Sequence, residues 1–102
     1  PPRGRWEGGA LVGEVVHVDR YGNLVTCIAA TELPGGALEV EAGGRRIRGL
    51  ARSYQEADPA TGLVAVVGSY ATREVAGRTG SAARELGVGS GDVVRVRRLR
   101  QE

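Results

Sequence analysis

Glycine recurs along the whole chain and separates short runs of apolar residues. It accounts for 17 of the 102 residues, more than twice the share of about 7% that is usual in proteins. The glycines follow no Gly-x-y period, so a collagen-like triple helix is excluded. Because glycine allows tight turns and the apolar runs between turns are short, the sequence predicts many short strands.

The apolar runs are rich in β-branched residues, and several alternate apolar with charged side chains, which is typical of strands. The predicted strands are residues 14–19, 24–28, 37–41, 45–50, 63–67, 72–76 and 93–99. Glycine-containing turns join them at 20–23 and 42–44, and residues 54–61 are predicted to be a polar loop. The spacing predicts an all-β fold, a small antiparallel β-barrel of about seven or eight short strands.

One short segment departs from this strand pattern. Residues 81–86 (SAAREL) predict a short helix, with Ser81 as its N-cap and Gly87 at its end. Residues 1–11 begin with Pro, Gly and Arg and are predicted to be a flexible linker or tail. The span 12–99 is then predicted to be one β-barrel domain.

The composition excludes several kinds of site. The single cysteine, Cys27, rules out an internal disulfide, and one cysteine with one histidine cannot complete a structural zinc site. No apolar run approaches the roughly 20 residues of a membrane-spanning helix, and no signal-peptide pattern is visible. These observations predict a cytoplasmic protein with no metal ion and no membrane partner.

Few residues carry the chemistry of an independent enzyme. His17, the sole histidine, lies in a predicted strand with no Ser or Cys at a catalytic spacing, so we interpret it as a surface or interface residue. Cys27 is interpreted as a small core residue, and Glu39 and Glu41 as a solvated strand face. The chain has no P-loop and no dinucleotide-binding glycine motif. The sequence therefore does not predict catalysis by this chain alone.

All fourteen basic residues are arginine, and two groups of them are close together in the sequence. Arg45, Arg46 and Arg48 form one group, and the arginines of residues 95–100 form the other. Together they are a candidate phosphate-binding patch of a nucleic-acid-binding module, which predicts salt-sensitive binding. No aromatic residues interleave these runs to stack on bases, so we favour a solvated strand face.

The segment that most suggests a binding site is the predicted turn between the first two strands. Asp19 ends one strand and Asn23 begins the next, with Tyr21 and Gly22 between them. This order presents a carboxylate, an aromatic ring and an amide together at the rim of the barrel. A plain hairpin turn is the alternative, because Gly and Asn tolerate the positive φ that such turns need.

Several blocks of the sequence resemble one enzyme family. Residues 13–26 (GEVVHVDRYGNLVT) resemble the opening of the C-terminal domain of the adenosine-forming S-adenosylmethionine hydrolases, the group that includes the fluorinases and chlorinases. Four later blocks follow in the family's order, at residues 63–69, 74–76, 80–83 and 91–96. The likeness covers about residues 12–97.

The resemblance implies a reaction and partners. Enzymes of this family join a larger N-terminal α/β domain to this smaller β domain and assemble as homotrimers. Their substrate lies between the N-terminal domain of one subunit and the C-terminal domain of its neighbour. The resemblance implies that S-adenosylmethionine, a substrate rather than a cofactor, reacts with water to give adenosine and methionine. This chain would supply only the C-terminal domain and would be inactive by itself.

The resemblance also implies roles for single residues. Asn23 matches the position that holds the edge of adenine, and Tyr54 matches an aromatic ring placed against adenine. Asp19 would face the ammonium group of the methionine part, and Ser69 would face its carboxylate. The other implied contacts are a pocket wall at Tyr21 and backbone groups beside adenine at Gly77, Arg78 and Thr79.

The sequence departs from the family pattern in places. Gly68 stands before Ser69 where the family has Asn, and Tyr70 and Ala71 replace a small or basic residue followed by Gly. Cys27 replaces the second Asn of a Thr-Asn pair. The departures at Gly68 and Cys27 permit a third interpretation, a trimerisation or docking module with a degenerate pocket.

Overall fold

Short strands and one short helix make up most of the described chain. The computed structural model describes residues 4–48, 53–57, 61–68, 74–75, 78–79 and 81–99. Its strands are β1 (Arg5–Glu7), β2 (Ala10–Val18), β3 (Leu24–Ala29), β4 (Leu38–Ala42), β5 (Arg45–Arg48), β6 (Ser53–Ala57), β7 (Leu63–Gly68), β8 (Glu74–Val75), β9 (Arg78–Thr79) and β10 (Val93–Arg98). A 3-10 turn, Ala30–Glu32, follows β3, and helix α1 spans Ala82–Leu86.

The main sheet is antiparallel, in the order β5-β4-β10-β2-β3-β7-β6, with β1 added on β2. Strand β2 pairs with β10 along its first part and with β3 along its last part. The register shifts between Val15 and His17, and such a bulge bends a strand. The end strands β5 and β6 come near each other, so the sheet curls into a half-barrel. The predicted fold class is confirmed.

The hydrophobic core lies on one face of this sheet. It takes alternate side chains from β2, β3, β4, β7 and β10, and Ala82 and Leu86 of α1 pack against them. Its largest fully buried members are Leu11, Val15, Leu24, Ile28, Val40, Val64, Val66, Val94 and Val96. Burying an aliphatic side chain of this size stabilises the fold by about 1.5–3 kcal/mol, so this face supplies most of the driving force for folding.

Helix α1 begins and ends where the sequence predicts. The Ser81 side chain accepts a hydrogen bond from the backbone N–H of Arg84 at 3.2 Å, which is the N-cap contact. Gly87 has a left-handed conformation with φ of 68° and ends the helix. Both predictions about this helix are confirmed.

Residues 4–11 differ from the predicted tail. Arg5–Glu7 form β1 and pair with β2, while Ala10 and Leu11 are buried. The physical reason is a hairpin turn at Gly8 and Gly9, which both have positive φ. The Glu32 carboxylate also accepts the backbone N–H of Gly4, at 3.0 and 3.2 Å to its two oxygens.

The structure corrects the first part of the predicted polar loop at 54–61, and residues 58–60 lie outside the described residues. Residues Ser53–Ala57 form β6, which pairs with β7 over the register from Ser53↔Gly68 to Ala57↔Val64. Without β6, the apolar strand β7 would leave backbone N–H and C=O groups unpaired along one edge. The polar segment 53–57 can pair with them because the hydrogen bonds between strands join backbone groups, whatever the side chains are. Of the predicted strand 72–76, Glu74–Val75 form β8 and pair with β9.

The described residues contain neither a candidate membrane-spanning helix nor a candidate metal-binding cluster. No helix there has the length and apolar character needed to cross a membrane. Within the same residues, no group of three or more His, Cys, Asp or Glu side chains is arranged to hold a metal ion.

Candidate functional site

The turn between β2 and β3 is a three-residue hairpin loop. Asp19 donates its backbone N–H to the carbonyl of Asn23 at 3.0 Å, and Gly22 donates to the carbonyl of Asp19 at 2.9 Å. Gly22 has φ of 80°, the left-handed position that ends such loops. The predicted turn is therefore present, and it brings Asp19 and Asn23 side by side.

The Asp19 carboxylate holds this turn together. Its Oδ1 accepts the backbone N–H groups of Tyr21 and Asn23, each at 2.9 Å, and its Oδ2 accepts from Asn23 Nδ2 at 3.0 Å. An ionised carboxylate can accept about four hydrogen bonds. These contacts use three of them, so Oδ2 can still accept one donor from a ligand.

The same contact sets the orientation of the Asn23 amide. A carboxylate only accepts hydrogen bonds, so the NH₂ group must face Asp19 and Oδ1 must face away. This Oδ1 is buried and has no hydrogen-bond partner among the described residues. Buried polar atoms are almost always paired, so an unpaired acceptor at this position is suited to a donor from outside the turn.

The turn packs on the start of α1. Ala83 donates its backbone N–H to the carbonyl of Gly22 at 2.9 Å, and the Ser81 hydroxyl donates to the same oxygen at 3.4 Å. A Cβ added at Gly22 would lie 2.6 Å from the Cβ of Ser81, closer than packed atoms approach. Only glycine therefore fits between this loop and the helix cap.

A groove of about 320 Å³ opens where the turn meets α1. We call it the turn groove. Tyr21 is 51% exposed, and the Arg20 guanidinium lies 4.9 Å from its ring centroid in a cation–π contact. The residues that line the turn groove are Asp19, Arg20, Tyr21, Gly22, Ser81 and Arg84.

The structure describes some of the predicted site residues with their side chains, others only by their backbone, and two not at all. Asp19 and Tyr21 line the turn groove, whereas Asn23 is half-buried behind it. Tyr54 lies in β6, paired with Val67, and Arg78 and Thr79 form β9; only the backbone of these three is described. Ser69 and Gly77 lie outside the described residues, so their predicted roles stay predictions.

Sequence reasoning missed Arg20 and Arg84 as groove residues and considered Ser81 only as a helix cap. Arg20 adjoins Asp19, so its place in the loop was a usable signal. Arg84 is distant from the turn in sequence, and no local pattern connects the two segments. Only the packing of α1 on the turn brings Arg84 to the groove.

The predicted arginine patch is partly neutralised by carboxylates. Glu39 is buried and lies 3.3 Å from Arg48 and 4.0 Å from Arg46, while Glu41 lies 2.6 Å from Arg97. The hydrogen bond from Arg97 lowers the pKa of Glu41 below its usual value, so this carboxylate stays ionised beside its partner. These two glutamates are therefore not the solvated face that the sequence suggested.

The single histidine and the single cysteine of the sequence both lie on strands rather than in the turn. His17 is exposed on β2, opposite Val25, in agreement with a surface position. Cys27 is half-buried rather than in the core, and its sulfur lies 3.4 Å from the backbone nitrogen of Glu14.

The fold and the turn groove define a small β half-barrel domain with a polar site on a hairpin turn. Residues 13–95 match the family model described as the SAM hydroxide adenosyltransferase C-terminal domain, where SAM is S-adenosylmethionine. The chain belongs to this family, and the predicted resemblance is confirmed.

One relative and one solved structure show how much of a longer protein this chain resembles. It is 40% identical over 84 residues to the (R)-S-adenosyl-L-methionine hydrolase of Thermus thermophilus, covering 82% of this chain and 31% of that protein. The crystal structure of an uncharacterized conserved protein from Thermotoga maritima matches with a TM-score of 0.69 and 20% identity, over 94% of this chain and 39% of that one. The chain therefore spans about a third of the length of these two proteins.

Proposed function

We propose that this chain supplies one side of a composite site at which S-adenosylmethionine and water give adenosine and methionine. Family membership supports the substrate, and the name of the Thermus thermophilus relative supports hydrolysis. The other side of the site, including the group that activates water, is assigned to an N-terminal α/β domain of a neighbouring subunit in a homotrimer.

The reaction requires little covalent chemistry from the residues of this domain. The water oxygen forms a bond to C5′ of the substrate while the C5′–sulfur bond breaks, and the sulfur leaves with both electrons as neutral methionine. The attacking water loses one proton. Because a sulfonium is already a good leaving group, alignment and exclusion of bulk water are the main tasks of the protein.

The unpaired Oδ1 of Asn23 is the observation that carries the proposal. The 6-amino group of adenine is a hydrogen-bond donor, and an amide that accepts from it recognises adenine specifically. Because Oδ1 is buried, a ligand reaches it only when a neighbouring segment moves aside. Asn23 is already held by Asp19 at 3.0 Å, so the acceptor does not have to be oriented during binding.

The other proposed contacts follow the family assignment. Oδ2 of Asp19 accepts a hydrogen bond from the ammonium group of the methionine part, and Tyr21 forms one wall of the pocket. Tyr54 stacks on adenine, which is worth on the order of 1–3 kcal/mol. The remaining contacts, to the methionine carboxylate and the adenine edge, are proposed for Ser69, Gly77, Arg78 and Thr79.

Asn23→Ala should remove discrimination between adenosine and inosine. Inosine carries a carbonyl oxygen where adenosine carries the 6-amino donor, so the wild-type chain should bind adenosine about tenfold more tightly. The variant should bind the two with similar affinity. Titration of the ¹⁵N-labelled chain, followed by NMR, measures both ratios. An unchanged ratio in the variant would remove Asn23 from the site.

The division of labour between domains has its own test. The 102-residue chain, mixed with S-adenosylmethionine, should release no adenosine above the uncatalysed background, because the proposed water-activating group lies in another domain. Chromatography of the mixture measures adenosine directly. Sustained turnover by this chain would overturn the composite site.

A further inference from the structure

Arg84 is one of the two arginines that line the turn groove. It is exposed on α1 and lines the groove, and within the described chain this side chain makes no ion pair or hydrogen bond. Its backbone, in contrast, is fixed, because its N–H donates to Ser81 at 3.2 Å. The neighbouring Ala83 N–H binds Gly22 of the turn at 2.9 Å. The backbone of Arg84 therefore has a defined position relative to the Asp19–Asn23 turn.

The other arginine of the groove is already engaged. The Arg20 guanidinium lies 4.9 Å from the ring centroid of Tyr21, its own neighbour in the loop. A guanidinium stacked on an aromatic ring keeps its charge but has a restricted range of approach to a ligand. Of the two arginines that line the groove, Arg84 is thus the one whose guanidinium N–H donors are all available to a ligand.

The charged groups of the groove are complementary to an amino-acid zwitterion. Asp19 offers one remaining acceptor position on Oδ2, which suits an ammonium group. A guanidinium presents a planar fork of N–H donors that fits a carboxylate with two parallel hydrogen bonds. Asp19 and Arg84 line the same groove, so a ligand with both groups on one carbon is the class that matches them.

We propose that Arg84 binds the α-carboxylate of the methionine part of S-adenosylmethionine, an inference that rests on the proposed function. Arg84 then determines specificity for the complete amino-acid end of the substrate. This role complements the segment around Ser69, where Gly68, Tyr70 and Ala71 depart from the family pattern.

Decarboxylated S-adenosylmethionine is the probe that isolates this contact. It keeps the adenine, the sulfonium and the ammonium and lacks only the carboxylate. The wild-type chain should bind S-adenosylmethionine at least about tenfold more tightly than the decarboxylated compound, as expected for a charge-assisted pair. Arg84→Ala should bring this ratio close to one, and Arg84→Lys should retain part of it.

Arg98→Gln is the matched control, because Arg98 is also exposed but donates to the carbonyl of Gly35, away from the turn groove. This variant should keep the wild-type ratio, and Arg84→Ala should keep the wild-type affinity for adenosine. An unchanged ratio in Arg84→Ala, or an equal loss of adenosine binding, would overturn the assignment while leaving the proposed function intact. Equal affinities of the wild-type chain for S-adenosylmethionine and its decarboxylated form would also overturn the assignment.

Discussion

Gly22→Ala is expected to lower the free energy of unfolding by roughly 2–4 kcal/mol. Gly22 has φ of 80°, a conformation that costs a residue with a Cβ about 1–2 kcal/mol. The added Cβ would also lie 2.6 Å from the Cβ of Ser81, so the turn or α1 must move. Urea unfolding of the variant and the wild type at one pH measures the difference.

Gly44→Ala separates the two contributions to this loss. Gly44 also lies in a hairpin turn, with φ of 75°, but a Cβ there meets nothing within 4 Å. Its replacement should therefore cost only the conformational part, about 1–2 kcal/mol. Equal losses for Gly22→Ala and Gly44→Ala would contradict the close packing of the turn on Ser81.

Removing the Ser81 side chain should relieve part of the Gly22→Ala loss. The nearest atoms to an added Cβ are the Oγ and Cβ of Ser81, whereas its Cα lies 3.2 Å away. Gly22→Ala should therefore cost less in a Ser81→Gly background than in the wild type, which a double-mutant cycle measures. Because the turn groove lies at this contact, the cycle also measures the interaction free energy between the turn and α1 at the groove.

Asn23→Asp should destabilise the fold by about 3 kcal/mol at neutral pH. The substitution keeps the shape of the side chain but replaces the donor that faces Asp19 at 3.0 Å with a second carboxylate. The charge-assisted hydrogen bond is lost, and two like charges face each other in a half-buried turn. Urea unfolding of this variant and the wild type at neutral pH measures the loss.

Exchanging the two side chains provides the control. With Asp19→Asn and Asn23→Asp combined, the amide at position 19 can donate to the carboxylate at position 23 while its oxygen still accepts the backbone N–H groups. This double variant should recover at least about 1 kcal/mol of the loss in urea unfolding. A double variant less stable than Asn23→Asp alone would show that the Asp19–Asn23 contact does not hold the turn.

These variants separate stability from recognition. The hydrogen bonds from Tyr21, Asn23 and its Nδ2 make Asp19 a structural residue of the turn. Oδ1 of Asn23, in contrast, supports nothing in the described part of the chain. Asn23→Ala therefore tests both the turn and the ligand, and the comparison of adenosine with inosine is needed to isolate the ligand.

Much of the fold follows from local signals in the sequence. Gly43 and Gly44 have positive φ and form the turn between β4 and β5, as predicted. Ser81 and Gly87 lie at the two ends of α1, also as predicted. The sequence did not predict strands β1 and β6, and both were missed for the same reason. Strands β1 and β6 contain mainly polar residues, so their own pattern does not indicate strands, and pairing with β2 and β7 decides their conformation.

The sequence by itself determined the chemistry of the turn. The order Asp19, two loop residues, Gly22 and Asn23 specifies a short hairpin loop with a carboxylate next to an amide, because every contact within it joins residues at most four positions apart. Local preferences act over this distance. Only the tertiary structure decided that the loop becomes one wall of a groove. Ser81 meets Gly22 across 59 positions, and a contact of that range depends on the curvature of the sheet and on burial of Ala82 and Leu86, which no local pattern encodes.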